Sequence, residues 1–69
     1  MHAELDNRIR VLRAEHRLSQ ADLARKIGVS RKTITTIETG RFVPSTIIAL
    51  KLAQHFGVTV EDIFCLRAP

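Results

Sequence analysis

Apolar residues recur along this chain at the spacing of helices rather than strands. Leu5, Ile9 and Leu12 fall at i, i+4 and i+7, which predicts a first helix over about residues 5–16 with Arg8, Arg10, Arg13 and Arg17 around its buried stripe. Leu23, Ala24 and Ile27 give the inner face of a second helix, Ile34 and Ile37 that of a third, and Ala49, Leu52, Ala53 and Phe56 that of a fourth. No segment alternates with period two over any length, so no strand is expected.

Start and stop residues bracket these stripes. Ser19, Ser30, Ser45 and Thr59 are N-cap residues, because a short side-chain oxygen can accept from the unpaired N–H groups of a first helical turn. Asp22, three residues after Ser19, completes a box-like pair. Gly28, Gly40 and Gly57 stand where helices stop. Helices are therefore expected at about 20–27 and 31–39, from Ser45 to about Phe56, and briefly after Thr59, where Glu61 and Asp62 suit the positive end. Pro44 is a turn former in the loop Arg41-Phe42-Val43-Pro44, and an apolar tail, Phe64-Cys65-Leu66, closes the pattern. Five short helices joined by short loops make a compact all-α domain.

The second and third helices are separated only by Gly28-Val29-Ser30, and so short a link forces a steep crossing, as in a helix-turn-helix. Gly28 lets the chain reverse, Val29 can plug the gap, and Ala24 permits close approach. An ordinary helical hairpin would share that spacing. The outer face of the third helix separates the two readings: Arg31, Lys32, Thr35 and Thr36 are short or cationic hydrogen-bonding side chains with no acid among them, suited to phosphates and base edges.

Charge agrees with that face. The net charge is +4, and from Arg25 to Lys51 the chain carries Arg25, Lys26, Arg31, Lys32, Arg41 and Lys51 against the single acid Glu38. A basic middle suits a polyanion, although a solvated surface would look the same. At 69 residues the chain is read as one domain, 1–69, with a core over about 5–64. A chain this short buries only roughly 60% of its unfolded surface, which favours idealised helices or oligomerisation. The lone Cys65 excludes an internal disulfide and is read as an inert thiol, a redox sensor being the rarer alternative. With no secretory leader and no long apolar run, a cytoplasmic protein with no membrane association is expected.

Taken together, Leu18-Ser19-Gln20, Leu23-Ala24, Gly28-Val29-Ser30, Ile34, Ile37-Glu38-Thr39-Gly40 and Pro44-Ser45 resemble the Cro/CI-type, or XRE, helix-turn-helix family over about residues 5–64. The resemblance implies a lambda-repressor-like bundle of five helices whose third helix reads double-stranded DNA, in proteins that are mostly repressors acting on palindromic operators. By position it implies that Gln20 bonds a phosphate and braces the reading helix. Arg31, Lys32 and Thr36 become base readers with Thr35 beside them, while Thr39, Gly40 and Arg41 grip the backbone. Arg31 stands at the helix end pushed deepest into the major groove, and its fork matches the two acceptors of guanine. Lys32 can reach a base or a phosphate, and Thr36 can touch a thymine methyl. Glu38 should repel DNA; in similar proteins an acid here pairs with an arginine of the first helix, which makes Arg13 and Glu38 a structural clamp.

The fourth helix is apolar on too many sides. Ile47, Ile48 and Leu50 cannot share one face, and Phe64 and Leu66 add to the excess. A two-fold homodimer using these residues is expected, with a small-molecule groove as the rival. Relatives with polar residues early in that helix would not share these contacts. No cofactor, metal or catalytic role is expected: His2, His16 and His55 have no ligand spacing to one another or to Cys65, and there is no phosphate loop or acid dyad. The runner-up function is an antitoxin or protein-interaction module on the same fold, weakened by the lack of a long extension able to wrap a partner.

Overall fold

The computed structural model describes residues 4–67; His2 and Pro69 lie outside the described residues. In order, β1 is Leu5–Asn7, α1 Ile9–Glu15, α2 Gln20–Ile27, α3 Arg31–Glu38, α4 Thr46–Phe56, α5 Val60–Ile63 and β2 Phe64–Leu66. Each expected cap is in place. Ser19, Ser30, Ser45 and Thr59 accept from the backbone N–H of Asp22, Thr33, Ile48 and Asp62 respectively. At Ser19 and Thr59 the aspartate also accepts from the cap's own N–H, which completes a capping box at both helices.

The described residues are mostly helical, with the five expected helices, but the two segments that flank those helices form a small sheet that the periodicity did not announce. β1 and β2 pair antiparallel in the register Leu5↔Leu66, Asp6↔Cys65 and Asn7↔Phe64. The first helix therefore begins at Ile9, not Leu5. Asn7 makes the change of course: its Oδ1 accepts from Ile9 N–H at 3.1 Å, while its Nδ2 donates to the Ile37 carbonyl at 3.0 Å. Arg8 N–H donates to the Ile63 carbonyl, and Arg67 pairs with Asp6 at 2.7 Å across the ribbon. Three-residue strands are too short to display an alternation, which is why the pattern concealed them.

The core is built from every helix and from β2. Ile9, Leu12, Leu23, Ala24, Ile27, Ile34, Ile37, Leu52, Ala53, Phe56, Ile63 and Phe64 are buried, with Leu5, Leu18, Val29, Ile48 and Ala49 packed against them. Leu5 thus reaches the core as expected, but from a strand. α2 packs against both α3 and α4, which holds the helix pair on a firm base. Fully burying a Leu or Ile contributes roughly 1.5–3 kcal/mol, so this cluster is the main source of stability.

The surplus apolar surface is smaller and differently placed than the sequence predicts. Ile47 (66% exposed), Leu50 (51%) and Leu66 (80%) do face outward. Ile48 does not belong with them, because it is half-buried against the core. Phe64 also leaves that group: it is only 9% exposed, since β-pairing turns it inward. Val43 joins the outward set from the loop after α3. An apolar groove of about 260 Å³ runs among Leu5, Val43, Pro44, Ala49, Leu50 and Phe64.

Candidate nucleic-acid interface

α2 and α3 form the steep pair that their three-residue link demands. Gly28 sits at φ +76°, and a Cβ placed there would meet nothing within 4 Å. Its glycine is therefore required by the left-handed backbone, not by crowding. Val29 N–H returns to the Ala24 carbonyl at 2.9 Å, and its half-buried side chain joins the core between the helices. Ser30 is extended, and its Oγ accepts from Thr33 N–H at 3.1 Å and lies 2.9 Å from the Thr33 hydroxyl. That cap places Arg31 and Lys32 in the first turn of α3.

Both cations are exposed, and neither side chain has a hydrogen-bond or ion-pair partner among the described residues. Positive charge at the positive end of a helix is unfavourable by itself, and an anion brought to that end relieves it. One turn on, Thr36 donates its hydroxyl to backbone, with the Lys32 carbonyl at 2.9 Å and that of Thr33 at 3.0 Å. Its methyl is what remains for an apolar contact. Thr35 is half-buried, and its hydroxyl lies 2.9 Å from Gln20 Oε1 and 3.1 Å from the Arg31 carbonyl. With its one proton committed there, Thr35 braces α3 against α2 instead of presenting a donor to solvent.

Behind α3 lies a polar network. Arg13 Nε donates to Glu38 Oε2 at 2.5 Å and Arg13 Nη2 to Oε1 at 3.1 Å, while Nη1 donates to the Leu18 carbonyl at 3.0 Å. Gln20 Nε2 adds a third donor to Glu38 Oε1 at 3.2 Å. The pair is nearly enclosed, with side chains 16% and 7% exposed. The Glu38 carboxylate, first by hydrogen bonding and then by charge, holds the Arg13 guanidinium pKa above its ordinary value against the opposing effect of burial. Gln20 thus joins α2 to α3 through both ends of its amide. One N–H of its NH₂ group stays free for a ligand.

α3 ends in a Schellman motif. Gly40, at φ +77°, donates its N–H to the Ile37 carbonyl, and Arg41 N–H reaches back to that of Thr36 at 2.9 Å. The two backbone N–H groups are consumed in the cap, so neither is open to a phosphate. Gly40 shapes the exit, and the group left to grip an anion is the exposed Arg41 side chain, because the one hydroxyl proton of Thr39 is held by backbone carbonyls and reaches an anion only by leaving them. That hydroxyl donates back to the Thr35 carbonyl at 3.0 Å. Asn7, which fastens the chain's start to the end of α3, was missed by the sequence reading; an Asn just before a helical stripe is itself a capping signal.

Among the described residues, the remaining titratable groups form no metal-binding cluster, and no helix is long and apolar enough to cross a membrane. His16 and His55 lie 6.4 Å apart, each packed edge-on against Phe56. Cys65 is exposed on β2.

Comparisons with known proteins place this geometry. The helix-turn-helix family model HTH_3 matches residues 9–63. An uncharacterized HTH-type transcriptional regulator of Methanocaldococcus jannaschii, MJ0272, is 52% identical over 60 residues, covering 87% of this chain and 91% of its own. The uncharacterized HTH-type transcriptional regulator YgzD of Bacillus subtilis is 40% identical over 63 residues, covering 91% and 96%. Among solved structures, the restriction-modification controller protein C.AhdI of Aeromonas hydrophila superposes with a TM-score of 0.74 at 33% identity, covering 80% of this chain and 83% of its own.

Proposed function

The chain belongs to the XRE-type helix-turn-helix family of DNA-binding transcriptional regulators, and from that premise we propose that it acts in the cytoplasm as a homodimeric repressor of a palindromic operator. The observation that carries the reading is the pair Arg31 and Lys32, both exposed at the start of α3 and without side-chain partners among the described residues. In this reading α3 lies in the major groove. Arg31 makes a bidentate contact to guanine, Lys32 reaches a neighbouring base or phosphate, and Thr36 lays its methyl on a thymine. Thr35 positions α3 through Gln20. Arg41 and the free amide N–H of Gln20 take backbone phosphates, Thr39 joins them by turning its hydroxyl proton from the Thr35 carbonyl to the phosphate, and Gly40 sets their path. Arg13 and Glu38 hold α1 and α3 in register so that the reading helix presents a fixed face.

One such module covers about one half-site. Two copies related by a two-fold axis place their reading helices ~34 Å apart, one turn of B-DNA, and so select a palindrome. Leu50, which lines the apolar groove, and the exposed Ile47 and Leu66 are the surface we assign to the partner copy. The antitoxin alternative draws no support from the relatives, which are named as transcriptional regulators. Selection of bound DNA from a random pool at two salt concentrations tests the reading. Enrichment of an inverted repeat with half-sites one turn apart supports it. Sequence-blind binding, or none, overturns it.

A further inference from the structure

A shallow groove on the α1 side of the reading helix is lined by Arg10, Arg13, Gln20, Glu38 and Thr39, and so joins α1 to the start of α2 and the end of α3. Its volume, about 280 Å³, is that of a small polar group and not of a folded partner. The floor is largely occupied by its own hydrogen bonds. Glu38 receives two nitrogens of Arg13 and one of Gln20, and Arg13 spends its remaining nitrogen on the Leu18 carbonyl. The opposite charges of Arg13 and Glu38 cancel there. Arg10 is different. It is exposed at the rim and has no hydrogen-bond or ion-pair partner among the described residues. Its guanidinium is the one uncancelled charge among the five lining residues, in a groove that it shares with Gln20 and Thr39.

We propose that Arg10 binds a DNA backbone phosphate in this groove, so that the footprint on each half-site extends beyond the helix-turn-helix onto α1. The inference rests on the DNA-binding reading given above. A guanidinium matches a phosphodiester oxygen pair in shape and charge, and Glu38, its charge paired with Arg13, neither holds Arg10 nor repels the incoming anion at full strength. Such a contact carries no sequence information; it fixes where the protein sits on the duplex.

The test compares wild type, Arg10→Gln and the charge-matched control Lys51→Gln, whose lysine lies on α4 away from this groove. Binding to the selected operator and to a scrambled duplex is measured from about 50 to 200 mM salt. For Arg10→Gln the slope of log K against log salt should fall in magnitude by about 0.9 per half-site, one phosphate contact fewer, with base preference and melting temperature unchanged. Lys51→Gln should keep the wild-type slope. A slope for Arg10→Gln equal to that of wild type or of the control overturns this assignment while leaving the DNA-binding reading intact. A wild type that binds neither duplex overturns both.

Discussion

Arg13 on α1 and Glu38 on α3 meet nitrogen to oxygen at two points, 2.5 and 3.1 Å apart, in a nearly solvent-free setting. Removing either partner strands a buried charge, and breaking such a pair costs about 3–5 kcal/mol. Arg13→Leu and Glu38→Leu should each lower the melting temperature steeply. The double variant should lose clearly less than the sum of the two, because no unpaired charge is left behind. Denaturant unfolding of the four proteins in that cycle measures the coupling; simple additivity would mean that the clamp contributes nothing.

Arg31 and Arg41 should fail in different ways. Arg31→Ala is expected to relax preference at one base position per half-site and to cost ~1–3 kcal/mol per contact. Arg41→Ala should weaken binding to all sequences and flatten the salt dependence. A panel of single-base operator variants, titrated with each protein, separates these outcomes. Identical, sequence-blind losses would remove Arg31 from the reading role.

The dimer surface is tested best at Ile47 and Leu50, because Phe64 belongs to the core and Ile48 is half-buried against it, so that charging either would destabilise the monomer as well. Ile47→Glu or Leu50→Glu should give folded monomers, since a charge at a closed apolar interface is strongly disfavoured. Operator affinity should fall far more than nonspecific affinity. Sedimentation velocity of wild type and variants provides the measurement. A wild type still monomeric at a concentration of hundreds of micromolar, yet tight on a palindrome, would mean that the pair assembles only on DNA.

Acid should weaken the fold in two stages. His55 has its Nε2 buried without a partner, and burial first, then the nearby His16 and Lys26, lower its pKa from the ordinary 6.5. Between that lowered value and 6.5 the unfolded chain binds more protons, so stability is intact above 6.5 and declines as pH falls below it. Asp22 and Asp62 follow. The Ser19 and Thr59 N–H bonds in their capping boxes lower both carboxyls below 3.8, so what they contribute is present above that value and lost as pH drops through the lowered ones. Urea midpoints from pH 8 to 3 should show both steps, and His55→Leu should flatten the first.

Arg17 occupies the turn between α1 and α2 at φ +56°, a left-handed conformation costing about 1–2 kcal/mol for a residue with a Cβ. Glycine removes that strain and returns part of the gain through the entropy of the unfolded chain. Arg17→Gly should therefore raise stability by about 0.5–1 kcal/mol, or several degrees in Tm for a domain of this size. Calorimetry would show it.

The parts of the molecule written in single side chains are legible in the sequence. Ser19, Ser30, Ser45 and Thr59 each announce a helix because a cap is a local hydrogen bond, and Gly28 and Gly40 announce exits because few other residues tolerate that backbone. The clamp of Arg13 and Glu38 was legible only through resemblance, since nothing local joins residues that far apart. What escaped was non-local and short. The ribbon of Leu5–Asn7 with Phe64–Leu66 needs both ends of the described chain to meet, and three residues carry no period. Thr35 showed the limit of an outward-face argument: the spacing puts it beside Thr36, yet the hydrogen bond to Gln20 turns its hydroxyl to structural use.

The loop after α3 belongs to two surfaces at once. Arg41 is anchored to the end of the reading helix through Thr36, while Val43 and Pro44, two and three residues on, wall the apolar groove beside Leu50. A segment this short cannot take one position for a partner copy and an unrelated one for the duplex. On the proposed reading, whatever settles the loop for one event reduces the ordering that the other still requires. The two equilibria then share a coupling free energy, and by linkage it acts equally in both directions: operator tightens the pair of subunits as much as pairing tightens the operator. A regulator wired in this way would switch over a narrower range of its own concentration than a monomeric binder, with the chain from Arg41 to Pro44 setting how narrow.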